Sequence, residues 1–321
     1  MINELKRNQD ILNNLFKKAI DKSRTCSYPG CNKTAINSHI LQKNGILNSI
    51  QSSGHIRISE SNFIDPNLFY FKRSGLNKSF TFKGFCSKHD KIVFSAIEDF
   101  EIDFEDYNSQ LLFTYRTVLN ERYRKEVLLD WHKYQKESNI LRDVIDIDKI
   151  DKIDEQQRIG IEDINFYIRK IESDLFSDTR SFDFQYRYTN PSEICLASHF
   201  SYETTREQQK QIEQTGQDFE LLTAIYISFF PIEDENVLIM GYLKEHKEKC
   251  GSFVNSFFEC SEDELFKKLS DLMLCRCETW VCSEKFYFKL IKPREKRINE
   301  IFKESVISID ENRTLDFNLF I

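Results

Sequence analysis

No stretch of this 321-residue chain is apolar for long enough to cross a membrane. Its longest apolar run, Leu221 to Ile232, closes on Pro231-Ile232 and falls far short of the roughly 20 residues that a bilayer span requires. The N-terminus lacks the small-residue cleavage site of a secretion signal. In its place Leu5, Leu12, Leu15, Phe16 and Ile20 recur at helical spacing between charges, which predicts an amphipathic helix. Internal repeats and a low-complexity tail are also missing. The nine cysteines cannot all be paired, and without a secretion signal they point to reduced thiols and metal ligation over a disulfide framework. Together these absences predict a soluble protein of the cytoplasm that makes no use of a membrane.

What is present is core material. Twenty-eight Phe and 40% hydrophobic residues exclude a disordered chain, and the length suits two domains. The net charge of −7 discourages a nucleic-acid reading for the whole chain, but the charge is divided unevenly. Residues 1–95 hold 15 Lys+Arg and 6 Asp+Glu, whereas the remainder holds 30 basic and 46 acidic side chains. That division predicts that any contact with a phosphate backbone lies within residues 1–95.

Along the chain, Pro29-Gly30 between two cysteines marks a sharp turn. Short apolar stretches (His55–Ile58, Leu68–Phe71, Phe80–Phe82) read as strands separated by loops. Ile92, Val93, Ala96, Ile97 and Phe100 predict a helix that starts at Ser87, and a longer helix is expected from about Tyr107 to Leu141. The charged run Ile145–Glu155 reads as a solvated helix start or a linker turn, with helix again over 156–176. Beyond residue 180 the period shortens. Phe182, Phe184, Tyr186 and Tyr188 alternate with polar residues, while Thr223–Phe230 and Val237–Met240 look like buried strands. Helices follow at 262–275, opened by the capping pair Ser261 and Glu264, and at 294–305. The expected fold class is α+β, with a zinc-bearing domain over 1–105, a helical connector over 106–178, and an α+β domain with a mainly antiparallel sheet over 179–321.

Zinc takes four soft or borderline ligands in a tetrahedron, usually as two closely spaced pairs. Cys26-x4-Cys31 on the Pro-Gly turn and Cys86-x2-His89 at the start of a helix supply such pairs in the layout of a treble clef, with Gly84 and Phe85 just ahead of the second. Cys195, Cys250, Cys260, Cys275, Cys277 and Cys282 read as buried small hydrophobes. His55, His132, His199 and His246 have no partners at useful spacing.

Between the two pairs stands Ser38-His39-Ile40. The string Cys26-x4-Cys31, Ser38-His39-Ile40, Cys86-x2-His89-Asp90 resembles the zinc-stapled branch of the HNH, or ββα-metal, endonucleases over roughly residues 24–100. The resemblance implies that His39 is a general base and that Asp90 helps to hold a catalytic Mg²⁺ or Mn²⁺. It places Ser38 where the family usually carries a metal-ligating Asp, Glu or His. The middle Asn of the motif has three candidates, Asn62, Asn67 and Asn77. Zinc-stapled HNH-like domains often serve in bacterial defence against phages and plasmids, and the resemblance implies that context. His39 has other readings: a zinc ligand in place of His89, a hydrogen-bond donor inside the hairpin, or a plain phosphate contact. Two functions follow, a metal-dependent nuclease whose C-terminal domain meets a protein partner, or a non-catalytic zinc module that binds nucleic acid or protein.

Overall fold

The computed structural model describes residues 2–61, 69–98, 101–142, 144–177, 179–201, 223–307 and 315–321. Asn62 and Asn67, two candidates for the middle motif position, lie outside these residues, as does Phe100. Among the described residues no helix is long and apolar enough to cross a membrane.

The N-terminal helix α1 (Ile2–Asp21) forms as its spacing predicts. A turn carrying Cys26 and Cys31 leads into β1 (Asn37–His39), a π-helical turn (Lys43–Leu47), the hairpin β2 (His55–Ser61) and β3 (Phe69–Gly75), then β4 (Thr81–Lys83) and α2 (Ser87–Val93). Two long helices follow, α3 (Tyr107–Lys136) and α4 (Ile147–Ser177). The remainder comprises β5 (Phe182–Thr189), β6 (Ile194–Ser201), β7 (Ala224–Ile232), β8 (Glu235–Leu243), α5 (Lys247–Phe258), α6 (Glu262–Cys275), β9 (Trp280–Cys282) and α7 (Glu295–Ile307). The architecture is α+β, as expected.

β1 and β4 form a two-stranded antiparallel ladder of their own, in which Ser38 lies opposite Phe82 and His39 opposite Thr81. The other strands make one antiparallel sheet in the order β3-β2-β9-β6-β7-β8-β5. β9 joins the β2–β3 hairpin to the strands of the C-terminal half, so the sheet draws on both ends of the sequence. β7 is buried on both faces, so its side chains supply two cores: Tyr226 and Phe230 on one side, Ile225, Ile227 and Phe229 on the other. The second core packs under α5, α6 and α7.

α3 occupies the centre of the first core. From Ser109 to Asn120 every residue of α3 is buried, which explains why its sequence shows no single apolar stripe. One side meets the sheet, with Phe113 and Phe230 centroids 5.0 Å apart. Another meets the cysteine segment, with Tyr115 and Phe85 at 5.7 Å, and a third meets α1 through Phe16 and Trp131 at 5.5 Å. The Trp131 indole N–H donates to the Leu12 carbonyl at 3.1 Å. The first core is therefore continuous from the cysteine segment through α3 to the sheet.

Several elements depart from the sequence expectation. The helix from Ser87 stops at Val93, where Phe94 (φ −101°, ψ 11°) breaks the ladder and a 3₁₀ turn (Ser95–Ile97) takes over. The break sends Phe94 and Ile97, both fully buried, under Phe85 and α3. α3 ends at Lys136, short of Leu141, and the charged run at 147–155 is the start of α4, solvated except at Asp154, which is 3% exposed and bonded to Lys136 and to His132, a partner the sequence did not suggest. β6 and α5 are additional. β6 reads Ile-Cys-Leu-Ala-Ser-His-Phe-Ser and has no alternation because it is covered on both faces, and α5 carries Gly251 and few strong helix formers. Ser261 and Glu264 do form the capping box of α6. Cys195, Cys250, Cys277 and Cys282 are buried and Cys260 is half-buried, but Cys275 is exposed at the end of α6, although Leu272, Met273 and Leu274 beside it stay in the core.

Asp174 ties α3, α4 and β5 together. Only 2% exposed, its carboxylate accepts from the Tyr107 hydroxyl, from Thr179 Oγ1 at 2.6 Å and from the Ser181 N–H and Oγ at 2.7 and 2.8 Å. Burial alone would raise its pKa, but these donors outweigh burial and hold the carboxyl below the usual carboxylate range. A depressed carboxylate contributes stability that is complete above its unfolded pKa of 3.8 and is lost as pH falls through the lower, folded value. Asp174→Ala is expected to cost about 3 kcal/mol at pH 7, since several buried donors lose their acceptor. Thermal denaturation from pH 7 to pH 2 checks both parts: the variant's deficit should shrink below about pH 4. A deficit of the same size at pH 2 would exclude the carboxylate charge as its source.

Candidate metal centre

The turn that carries the first ligand pair is set by its backbone. Gly30 adopts φ +73°, the left-handed region glycine enters without a Cβ penalty, and the Cys31 N–H donates to the Tyr28 carbonyl at 3.0 Å. Cys26 is held by the Lys33 carbonyl at 2.8 Å, and the neighbouring Ser27 N–H reaches the Gly84 carbonyl at 2.8 Å. The second pair sits where β4 gives way to α2. Gly84 is required there, because a Cβ at that position would lie 2.3 Å from the Phe82 ring. Cys86 is the N-cap residue of α2, and the Asp90 N–H donates to its carbonyl at 2.9 Å.

These two turns bring Cys26, Cys31, Cys86 and His89 together, with every ligand atom within 4.8 Å of the others. His89 Nδ1 lies 3.5 Å from both Cys26 Sγ and Cys86 Sγ, and Cys31 Sγ lies 4.0 Å from Cys86 Sγ. A zinc tetrahedron with Zn–S of about 2.3 Å and Zn–N of about 2.0–2.1 Å has edges of about 3.6–3.8 Å, so the cluster has the dimensions of a Cys₃His site. It can hold a metal such as zinc. Backbone N–H groups at the start of α2, that of His89 first, lower the pKa of Cys86 and favour the thiolate a metal requires. Burial raises that of Cys26, the cost a bound cation offsets. Tyr28 stacks on the His89 ring at 4.0 Å and orients it.

His39 does not enter this cluster, and the fourth member is His89. The His39 side chain turns to the 3₁₀ turn Leu76–Lys78, where Nε2 lies 2.9 Å from the Leu76 carbonyl oxygen. A carbonyl can only accept, so Nε2 carries the proton and Nδ1 is left as the basic atom. Nδ1 makes no hydrogen bond among the described residues. Burial lowers the pKa of His39 most, the Leu76 carbonyl raises it, Lys43 and Arg116 lower it further, and Glu98 acts in the opposite sense. The net effect is a pKa below 6.5, which keeps the ring neutral at physiological pH.

The charges that bear on His39 come from residues the sequence did not single out. Arg116 is 2% exposed, its guanidinium lies 4.2 Å from the Phe94 centroid, and Nη1 is 2.5 Å from Glu98 Oε1. Glu98 is fixed in turn by Gln42, which donates to its backbone carbonyl. Lys43 stands on the π-helical turn, an irregularity often found at functional sites. The break of the helix at Phe94 is the signal that would have exposed this group, because it brings residues 94–98 back toward α3.

Asp90 lies in the first turn of α2, half-buried, with Oδ1 buried and without a hydrogen-bond partner. Ser38 is 3% exposed and its Oγ is likewise buried and unpartnered. No family model, curated protein or solved structure matches this chain.

Proposed function

We propose that the chain is a metal-dependent phosphodiesterase of the zinc-stapled HNH type that acts on nucleic acid, with zinc in the Cys26, Cys31, Cys86 and His89 cluster. One observation carries this reading: His39 is a neutral imidazole whose tautomer is set by the Leu76 carbonyl, with Nδ1 available to accept a proton. Two orphaned buried oxygens, Asp90 Oδ1 and Ser38 Oγ, are donors of the kind Mg²⁺ or Mn²⁺ takes. When bound, such a cation supplies Lewis-acid stabilisation of the charge that builds on the phosphate. His39 Nδ1 removes a proton from water, the water oxygen bonds to phosphorus, the P–O bond to the leaving sugar oxygen breaks, and that oxygen takes a proton from solvent.

The positive charge of residues 1–95 supports a nucleic-acid substrate. Lys33, Lys78, Lys88 and Lys91 are exposed and make no ion pair among the described residues. Other basic side chains of residues 1–95 are committed to the fold: Lys22 and Arg24 both pair with Asp130, at 2.5 and 2.7 Å. The second reading, a zinc module that binds without cutting, is favoured by Ser38, which carries no charge where the resembled family has an anionic or imidazole ligand. Incubation of the full chain with labelled single- and double-stranded DNA and RNA, with Mg²⁺ or Mn²⁺, separates the two. Cation-dependent fragments are expected, and tight binding with no fragments under any cation would establish the binding module.

A further inference from the structure

A second basic surface, built from none of the four cluster residues, lies where the β2–β3 hairpin meets the segment after β9. Arg57 and Arg73 are direct cross-strand partners, and two like charges in that position repel. They share one carboxylate oxygen, Glu284 Oε1, at 3.2 Å from Arg57 Nη2 and 2.9 Å from Arg73 Nε. One anion for two guanidinium groups leaves a positive charge uncompensated, and Arg57 Nε is buried without a partner. Arg73 is 44% exposed.

Beside them the chain makes a π-helical turn, Tyr287–Ile291, after a single helical turn at Glu284–Phe286. This turn presents Phe288, 57% exposed, next to the exposed Lys289. The Arg57 guanidinium carbon lies 4.5 Å from the Tyr287 centroid and 5.2 Å from that of Phe288. Of the seven Lys and Arg over 285–303, Lys285, Lys292 and Arg297 are paired with Glu193, Glu295 and Glu300 and Arg294 is held by the Asn318 and Leu319 carbonyls, whereas Lys289 has no ion pair among the described residues.

An exposed phenyl ring beside a guanidinium pair and an unpaired lysine, Lys289, has the composition of a stacking platform for unpaired bases. Every nucleobase offers a π-face, and the flanking cations complement the phosphates. In a duplex the base faces are covered, so the aromatic element would have no role there. We infer that this surface, built by Arg57, Arg73, Phe288 and Lys289, binds single-stranded nucleic acid, with one base stacked on Phe288 and the backbone running past Arg73 and Lys289. The inference goes beyond phosphodiester cleavage at His39 and does not depend on it. It also places two of this surface's four residues, Phe288 and Lys289, outside residues 1–95.

The test is fluorescence anisotropy of a labelled oligothymidylate with the full chain, without Mg²⁺ or Mn²⁺, so that binding is read apart from cutting. Phe288→Ala removes an exposed ring and leaves both cores intact, and it should weaken binding roughly 5- to 100-fold, while Phe288→Trp retains it. Arg73→Gln with Lys289→Gln should lower the slope of log affinity against log salt by about 1.4, as the loss of two single-strand phosphate contacts requires. Unchanged affinity in Phe288→Ala, or a blunt duplex that binds as tightly and loses as much on that substitution, would overturn the inference. So would displacement of the oligonucleotide by polyglutamate at matched charge, which would mark the surface as a dock for acidic protein. Binding that depends on Phe288 in a protein that cuts nothing would uphold this surface and reject the nuclease reading.

Discussion

Replacing Cys86 with Ala is expected to remove the metal and unfold the region around it. Cys86 is at once a member of the cluster that can hold a metal, the N-cap of α2 and the neighbour of Cys31, 55 residues earlier in the chain. Structural zinc in small Cys/His sites is worth about 10–16 kcal/mol of apparent binding free energy at pH 7, which exceeds or matches the net stability of about 5–15 kcal/mol of a typical domain. The damage should spread, because Cys26, Phe85 and Cys86 belong to the same core as α3 and one face of the sheet. Circular dichroism and a thermal melt should show loss of much of the helical signal at 25 °C. Cys275→Ala, which alters an exposed thiol outside any cluster, should melt like the parent. If Cys86→Ala keeps both the parent melting temperature and its metal, the four side chains are not a ligand set.

The second large effect is expected at His39. General-base assistance contributes about 10²–10⁴-fold, so His39→Ala should reduce cleavage by that order with zinc content unchanged, since His39 points to Leu76 and not into the cysteine cluster. The pH profile adds a check. Burial and the charges of Lys43 and Arg116 depress the pKa of His39, so the basic form persists as pH falls through 6.5 and the acid limb of the rate should lie below that value. Replacing Arg116 with Gln should move the limb upward, since a nearby positive charge is removed. An acid limb above pH 7, or a His39→Ala protein that cuts as fast as the parent, would remove His39 from the reaction.

Much of this was legible from the sequence because the determining interactions are local. The four ligands fall in two short pairs, each within one turn, and Pro29-Gly30 announces the first turn. α1 carries its amphipathic period in contiguous residues, and α6 carries both its period and its capping box there. What was not legible depends on contacts across the chain. α3 has no stripe because it is enclosed on nearly all sides, and β6 has no alternation because the sheet is covered on both faces. The surroundings of His39 draw on residues 42, 43, 76, 98 and 116, and no spacing rule relates these positions. Nor did charge counting reveal that Lys22 and Arg24 answer to Asp130 on α3, or that Arg57 and Arg73 share Glu284 from the far end of the sequence.

The most direct test of the metal centre on which this reading rests is the metal content of the purified full chain by native mass spectrometry, with X-ray absorption at the zinc edge. One zinc per chain is expected, with three sulfur ligands at about 2.3 Å and one nitrogen at about 2.0–2.1 Å, and none in Cys86→Ala. A metal-free parent protein, or zinc bound with a different ligand count, would contradict it.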